Sequence, residues 1–156
     1  MNPAQLPLYR SSGERGHPSP IADDPRRVVA RKLEREITVM FTPTACTVQT
    51  TEGLVHAKAG DAIITGVAGE RWRVSRAHFG EKYRPVPPTQ AGEPGSYVSL
   101  PNRILAVRMN QAFNVLLADG ESRLTGREGD WLVDYGDGSL GIVSDAIFMI
   151  TYEILD

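Results

Sequence analysis

From Val28 onward, apolar residues alternate with polar ones in short runs instead of recurring every three or four positions. Ile37 to Phe41 and Cys46 to Val48 have the β-branched character and the period of two expected of half-buried strands. Ala62 to Thr65 and Trp131 to Tyr135 are short, apolar and rich in strand formers, and Gly69 and Gly138 are placed to reverse the chain into Arg71 to Val74 and Leu140 to Val143. Within Arg71-Trp72-Arg73-Val74 the alternation puts both arginines on one face, so Trp72 and Val74 are expected in the core. Ser75 and Ser144 are candidate N-caps for one helical turn each, which sends Phe79 and Phe148 inward. Tyr83 and Tyr152 then begin a last strand.

Two stretches interrupt this pattern. Residues 1–25 carry Pro3, Pro7, Pro18, Pro20 and Pro25 among serines, glycines and charges, which predicts a disordered tail. Pro85, Pro87, Pro88 and Pro94 with Gly92 and Gly95 predict a linker. The chain therefore divides into a tail (1–25), a first β module (26–86), a Pro/Gly linker (87–103) and a second β module (104–156).

The two modules repeat one pattern. A shift of 69 positions lays Gly60–Tyr83 on Gly129–Tyr152 without a gap, and eight of the 24 pairs are identical, where chance gives about two. Further upstream, a two-residue difference in the first strands breaks the register. Gly60-Asp61 and Gly129-Asp130 suit turns, since glycine accepts positive φ and an Asp carboxylate bonds nearby backbone. A module of about 50 residues is marginal alone, so two copies sharing a core are expected. The fold class predicted is mostly β: two tandem copies of a small strand-rich module forming one pseudo-symmetric barrel or sandwich-like body, with short helical turns.

Glu52, Gly53, Gly60, Asp61, Gly66, Gly69, Glu70, Val74, Phe79 and Tyr83 make the first copy similar to a short module common in phage and prophage proteins. The second copy resembles the bacterial family named for a Pro-Gly-Asp-Tyr-Gly motif. The candidate position for that motif is Asp137-Gly138-Ser139-Leu140-Gly141, where the two glycines match. These resemblances imply a fold and a bacterial or mobile-element origin, and they supply no activity.

Composition narrows the function classes. The 156 residues are 41% hydrophobic and 23% charged, with a formal net charge of -2, as in a soluble globular protein. No run approaches the ~18 apolar residues of a membrane span, and the N-terminus has no apolar signal core, so a cytoplasmic location without membrane partners is expected. Cys46 is the only cysteine, which excludes an internal disulfide. Its alternating surroundings predict a small buried hydrophobe. His17, His56 and His78 show none of the spacings of a metal site, and neither a metal nor a cofactor is expected. A Cys46–His56 or Cys46–His78 pair would make a cryptic hydrolase. Asp61 and Asp130, recurring beside glycine, read as turn residues in preference to an acid–base pair.

Charge carries the strongest functional signal. Residues 26–86 hold eleven Lys/Arg against six Asp/Glu, a surplus of +5, whereas residues 104–156 hold three against nine, -6. Arg71, Arg73 and Arg76 are the candidate ligand-binding residues, for a small anion such as a nucleotide. Nucleic acid is not expected, because Trp72 is turned inward and unavailable for stacking. The leading expectation is a non-enzymatic binding or adaptor module that meets an unknown protein, or itself, through oppositely charged modules. Small-anion capture and the cryptic hydrolase are the alternatives.

Overall fold

The computed structural model describes residues 6–51 and 53–155, so Glu52 and the first five residues of the expected tail lie outside the described residues. In chain order the elements are β1 (Leu8–Arg10), β2 (Val28–Lys32), β3 (Glu36–Phe41), β4 (Cys46–Thr50), β5 (Gly53–Ala57), β6 (Ala62–Thr65), β7 (Arg71–Val74), α1 (Arg76–Lys82), β8 (Tyr83–Pro85) and β9 (Gly95–Ser99). They continue with β10 (Arg103–Arg108), β11 (Phe113–Leu116), β12 (Arg123–Gly126), β13 (Trp131–Asp134), β14 (Leu140–Val143), α2 (Asp145–Thr151) and β15 (Tyr152–Ile154). The protein is mostly β, as the alternation predicts. Among the described residues its strands form four open sheets and no closed barrel, which corrects the barrel expectation. Short outer strands that pair on one side only end each five-stranded sheet.

The chain separates into two compact units, Lys32–Asn102 and Met1–Arg31 with Arg103–Asp156. These boundaries differ from the expected modules because two strands pair at long range. In the Lys32–Asn102 unit the sheet order is β7-β6-β3-β9-β8, beside the two-stranded ribbon β4-β5. Ile37 faces Tyr97 and Val39 faces Ile64 across β3, and these side chains build the core with Ala62, Val74 and Phe79. Tyr97 is 1% exposed, and its ring meets Phe79 edge-on at 4.9 Å. Burying rings of this size stabilises by about 1.5–3 kcal/mol each. Gly95–Ser99 is therefore an inner strand where a linker was expected. Proline and glycine marked its approach correctly and missed the strand itself.

In the other unit the five-stranded sheet runs β14-β13-β10-β2-β15, with a second sheet β1-β11-β12. β2, assigned by sequence to the first module, pairs here with β10 in the register Ala30↔Ile104. Ala30 is fully buried in a core with Phe148, Trp131 and Tyr152. Trp131 and Phe148 stack at 4.0 Å with an interplanar angle of 7°. Ser144 caps α2 as predicted, its hydroxyl accepting from the Ile147 amide at 3.3 Å, whereas Ser75 makes no side-chain cap bond to α1. Each helix delivers its phenylalanine to the core: Phe79 is 6% exposed and Phe148 fully buried.

The described part of the expected tail is built into this unit. β1 pairs parallel with β11, Tyr9 opposite Val115. Ile21 is 1% exposed. A proline-rich composition excludes regular helix, but one buried anchor and a few backbone bonds hold an extended segment in place.

Candidate functional site

Two of the three predicted arginines, Arg73 and Arg76, meet at one turn of the Lys32–Asn102 unit. Gly60 reverses the chain at φ +88°, and the Asp61 carboxylate closes the turn by accepting from the Lys58 amide at 2.8 Å. Asp61 is 3% exposed and pairs with the Arg73 guanidinium at 3.0 Å. It also receives the Arg76 backbone amide at 3.4 Å, while the Arg76 side chain lies over Gly60. Arg71 is exposed on the same face of β7 as Arg73. The turn, the strand and the start of α1 thus bring Arg73 and Arg76 to Asp61, while Arg71 stands at the far end of β7, opposite Thr65. Arg73 is neutralised by Asp61, which leaves Arg71 and Arg76 as the outward charges.

Trp72 points the other way, packed against the core as its alternation predicts. The Lys32 ammonium lies 5.5 Å from the Trp72 ring centre and donates to the Tyr83 hydroxyl at 2.8 Å. That cation occupies the indole face a stacking base would need.

The Cys46–His56 pair does not assemble. Cys46 is exposed, which corrects its expected burial: it starts β4 in phase with the buried Val48 and Thr50, at the open end of the strand. Thr47 stands opposite His56 in the β4-β5 ribbon and Cys46 opposite Ala57, so Cys46 and His56 project from opposite faces. Asp130 repeats the bond of Asp61, accepting from the Arg127 amide at 2.9 Å, so both aspartates serve turns. Among the described residues no group of three His, Cys, Asp or Glu side chains could hold a metal. None of the helices there is long and apolar enough to cross a membrane.

A second candidate lies in the other unit, where the N-terminal segment crosses the β13–β14 turn. Ser11 donates through its hydroxyl to the Gly138 carbonyl and accepts from the Leu140 amide, both at 3.0 Å. The Gly13 amide donates to the same carbonyl at 2.8 Å. A cleft of about 440 Å³ between this segment and the turn is lined by Tyr9, His17, Asp134 and Leu140. His17 lies with Nδ1 3.2 Å from the Pro18 carbonyl, and Asp134 accepts from the Gly136 amide at 2.8 Å.

Sequence reasoning looked for the motif three residues too late. Asp134-Tyr135-Gly136 supplies the Asp-Tyr-Gly of the family name directly. Its chemistry is structural. Asp134 is 7% exposed and caps the turn, Gly136 takes φ +82°, and the Tyr135 ring lies over Gly141, 2.9 Å from where a Cβ would stand. The literal tripeptide could have found it. The duplication drew attention to Gly138 instead.

No curated protein and no solved structure matches the chain. The profile of the PGDYG protein family matches residues 53–153, a span that reaches from β5 into β15 and includes the Asp134-Tyr135-Gly136 turn. The chain belongs to the PGDYG protein family.

Proposed function

We propose that the chain is a non-enzymatic binding or adaptor module made of two copies of one β unit, one closed by the N-terminal segment and the other open as a cationic binding face. The strand orders support the duplication. β14-β13-β10-β2-β15 and β7-β6-β3-β9-β8 have the same plan when each strand is replaced by its counterpart in the other copy. Registers agree as well. Moving Glu36 forward by 67 and Val98 back by 67 turns the pair Glu36↔Val98 into Arg103↔Arg31. A shift of 69 carries Ala62↔Val74 onto Trp131↔Val143. The two-residue change falls in the turn between the paired positions Gln49↔Leu54 and Leu116↔Arg123.

Each copy thus begins with a strand, β2 or β9, that completes the sheet of the other copy. Core volume is redistributed between the copies: Trp72 with Gly66 in one corresponds to Gly141 with Tyr135 in the other. One aromatic fills that place in either case.

The carrying observation is the fate of matched edges. Leu140 and Ile142 of β14 are each 5% exposed, and the N-terminal segment bonds to that edge. Their counterparts on β7 are Arg71 and Arg73. Gly138 is packed against Glu14, whereas its counterpart Gly69 has no atom within 4 Å of a built Cβ. An edge covered in one copy and carrying the exposed Arg71 in the other, with Arg76 beside it, suits an acidic partner.

The test is an NMR titration with polyglutamate, polylysine and ATP. Polyglutamate is expected to move the amides of Arg71 to Arg76 in a salt-sensitive way, with the response lost in Arg71→Glu/Arg76→Glu. No movement, or an equal response to polylysine, overturns the reading. ATP moving the same amides as strongly replaces it with small-anion capture.

A further inference from the structure

We infer that the outer edge of β4 accepts an extended acidic peptide as an added parallel strand, in the way β11 accepts β1. The inference rests on the cationic-face reading above and specifies how a partner is held there.

The occupied edge shows the geometry. β1 lies parallel to β11 with Leu8↔Asn114, Tyr9↔Val115 and Arg10↔Leu116. The Asn114 amide donates to the Pro7 carbonyl at 2.8 Å, and the Ser11 amide donates to the Leu116 carbonyl at 2.9 Å. Asn114 and Leu116 therefore turn their backbone groups away from β12. β4 and β5 repeat the β11–β12 register, Cys46↔Ala57 standing where Phe113↔Gly126 stands. By the same alternation Thr47 and Gln49 turn their N–H and C=O outward. Among the described residues no strand pairs with that side of β4.

Sheet edges left unpaired are usually blunted by charge, proline or cover, because they template strand addition. The β4 sequence Cys-Thr-Val-Gln-Thr has neither charge nor proline, and Cys46, Thr47 and Gln49 are exposed. An edge of this kind fits a peptide that adds a strand through main-chain bonds and takes its specificity from alternate side chains.

Those side chains can be assigned from β1. Tyr9 meets the Phe113 ring edge-on at 6.3 Å. Cys46 replaces Phe113 in the open copy, which makes room there for a large apolar side chain. Two residues after Tyr9, Ser11 reaches the Leu140 amide. Arg71 replaces Leu140: its amide is the matching backbone donor, and its exposed guanidinium adds a positive charge beside the peptide residue at that place. The sequence recognised is a large apolar residue followed two positions later by an acid.

A capped Thr-Val-Tyr-Val-Glu-Glu peptide tests this on the full chain by amide exchange and NMR, beside the same peptide with Lys for Glu and one N-methylated on the Tyr backbone nitrogen, which takes the place of a ladder donor of β1. The acidic peptide is expected to protect the Thr47 amide and shift Arg71, and the Lys and N-methyl peptides to do neither. Arg71→Glu, a surface change that leaves the core intact, is expected to weaken binding roughly tenfold. Thr47→Pro removes the outward donor and is expected to abolish protection, with its melting curve checking the fold. Arg71 shifting while Thr47 stays unprotected overturns strand addition and leaves the cationic-face reading standing. Equal protection by the Lys peptide overturns the acidic partner. No response to either this peptide or polyglutamate overturns both readings.

Discussion

The backbone of Glu14 crosses Gly138 so closely that a Cβ on Gly138 would lie 2.6 Å from the Glu14 carbonyl carbon. Gly138 holds φ +90°, a conformation that costs other residues about 1–2 kcal/mol. Its counterpart Gly69 holds φ +80° with open space around it. Gly69→Ala is expected to lose stability only through its backbone. Gly138→Ala is expected to lose more and to raise amide exchange across residues 8–21. Equal melting temperatures for the two variants, with unchanged exchange, would show that the close crossing does not hold the segment.

Ser11 is 8% exposed and bridges Gly138 and Leu140 with one hydroxyl. Ser11→Ala leaves the Leu140 amide without that acceptor. The expected cost is about 1–3 kcal/mol in denaturant unfolding, the price of an unsatisfied buried donor. A change below ~0.5 kcal/mol would mean that water replaces the bridge.

Ala30 tests the strand assignment that sequence missed. In a Trp72→Phe background, Trp131 is the sole tryptophan and reports on the core that contains Ala30. Ala30→Asp puts a carboxylate at a fully buried position. Trp131 fluorescence is expected to show unfolding at far lower denaturant, by several kcal/mol. An unmoved Trp131 transition would place Val28–Lys32 outside this sheet.

Phe148 stacks on both Trp131 and Tyr152, whereas Phe79 stacks on Tyr83 and meets Tyr97 edge-on. Phe148→Ala and Phe79→Ala are each expected to cost about 3–5 kcal/mol. Calorimetry checks both. A loss under ~1 kcal/mol in either would contradict a rigid aromatic core.

The Arg26 guanidinium bonded to Asp24 at 2.8 Å holds the Asp24 carboxyl below its ordinary value of 3.8. A depressed folded value contributes stability above pH 3.8 that is lost as pH falls through the folded value. Asp24→Asn is therefore expected to lower the neutral plateau slightly and to flatten part of the acid limb, the two curves converging once pH falls below the folded value. An acid limb identical to that of the parent would refute the pairing in solution.

Much of the local structure was legible in the residues. Period-two alternation located β3 and turned Trp72 of β7 inward, because which face of a strand meets the core is a local property. β6, β13 and β14 were legible as short apolar runs bounded by turn glycines. Gly60, Gly69, Gly129 and Gly138 read as turns from backbone freedom, and all four hold positive φ. Ser75 and Ser144 marked where α1 and α2 begin. The candidate site was legible in part: Arg71, Arg73 and Arg76 were chosen from charge. The meeting of Arg73 and Arg76 at Asp61 depends on how β6, β7 and α1 come together.

The sequence by itself determined that strands exist, where they turn and which side chains they bury, since those follow from neighbours a few residues away. Only the tertiary structure decided which strands pair. Apolar content rises from Val28, but that Val28–Lys32 is a strand beside β10 depends on Ala30 fitting a core built about 75–120 residues later. The same holds for Leu8–Arg10, whose partner is over 100 residues away and whose prolines predicted disorder. Cys46 obeyed its alternation and is still exposed, because burial also needs an apolar side chain arriving from another strand.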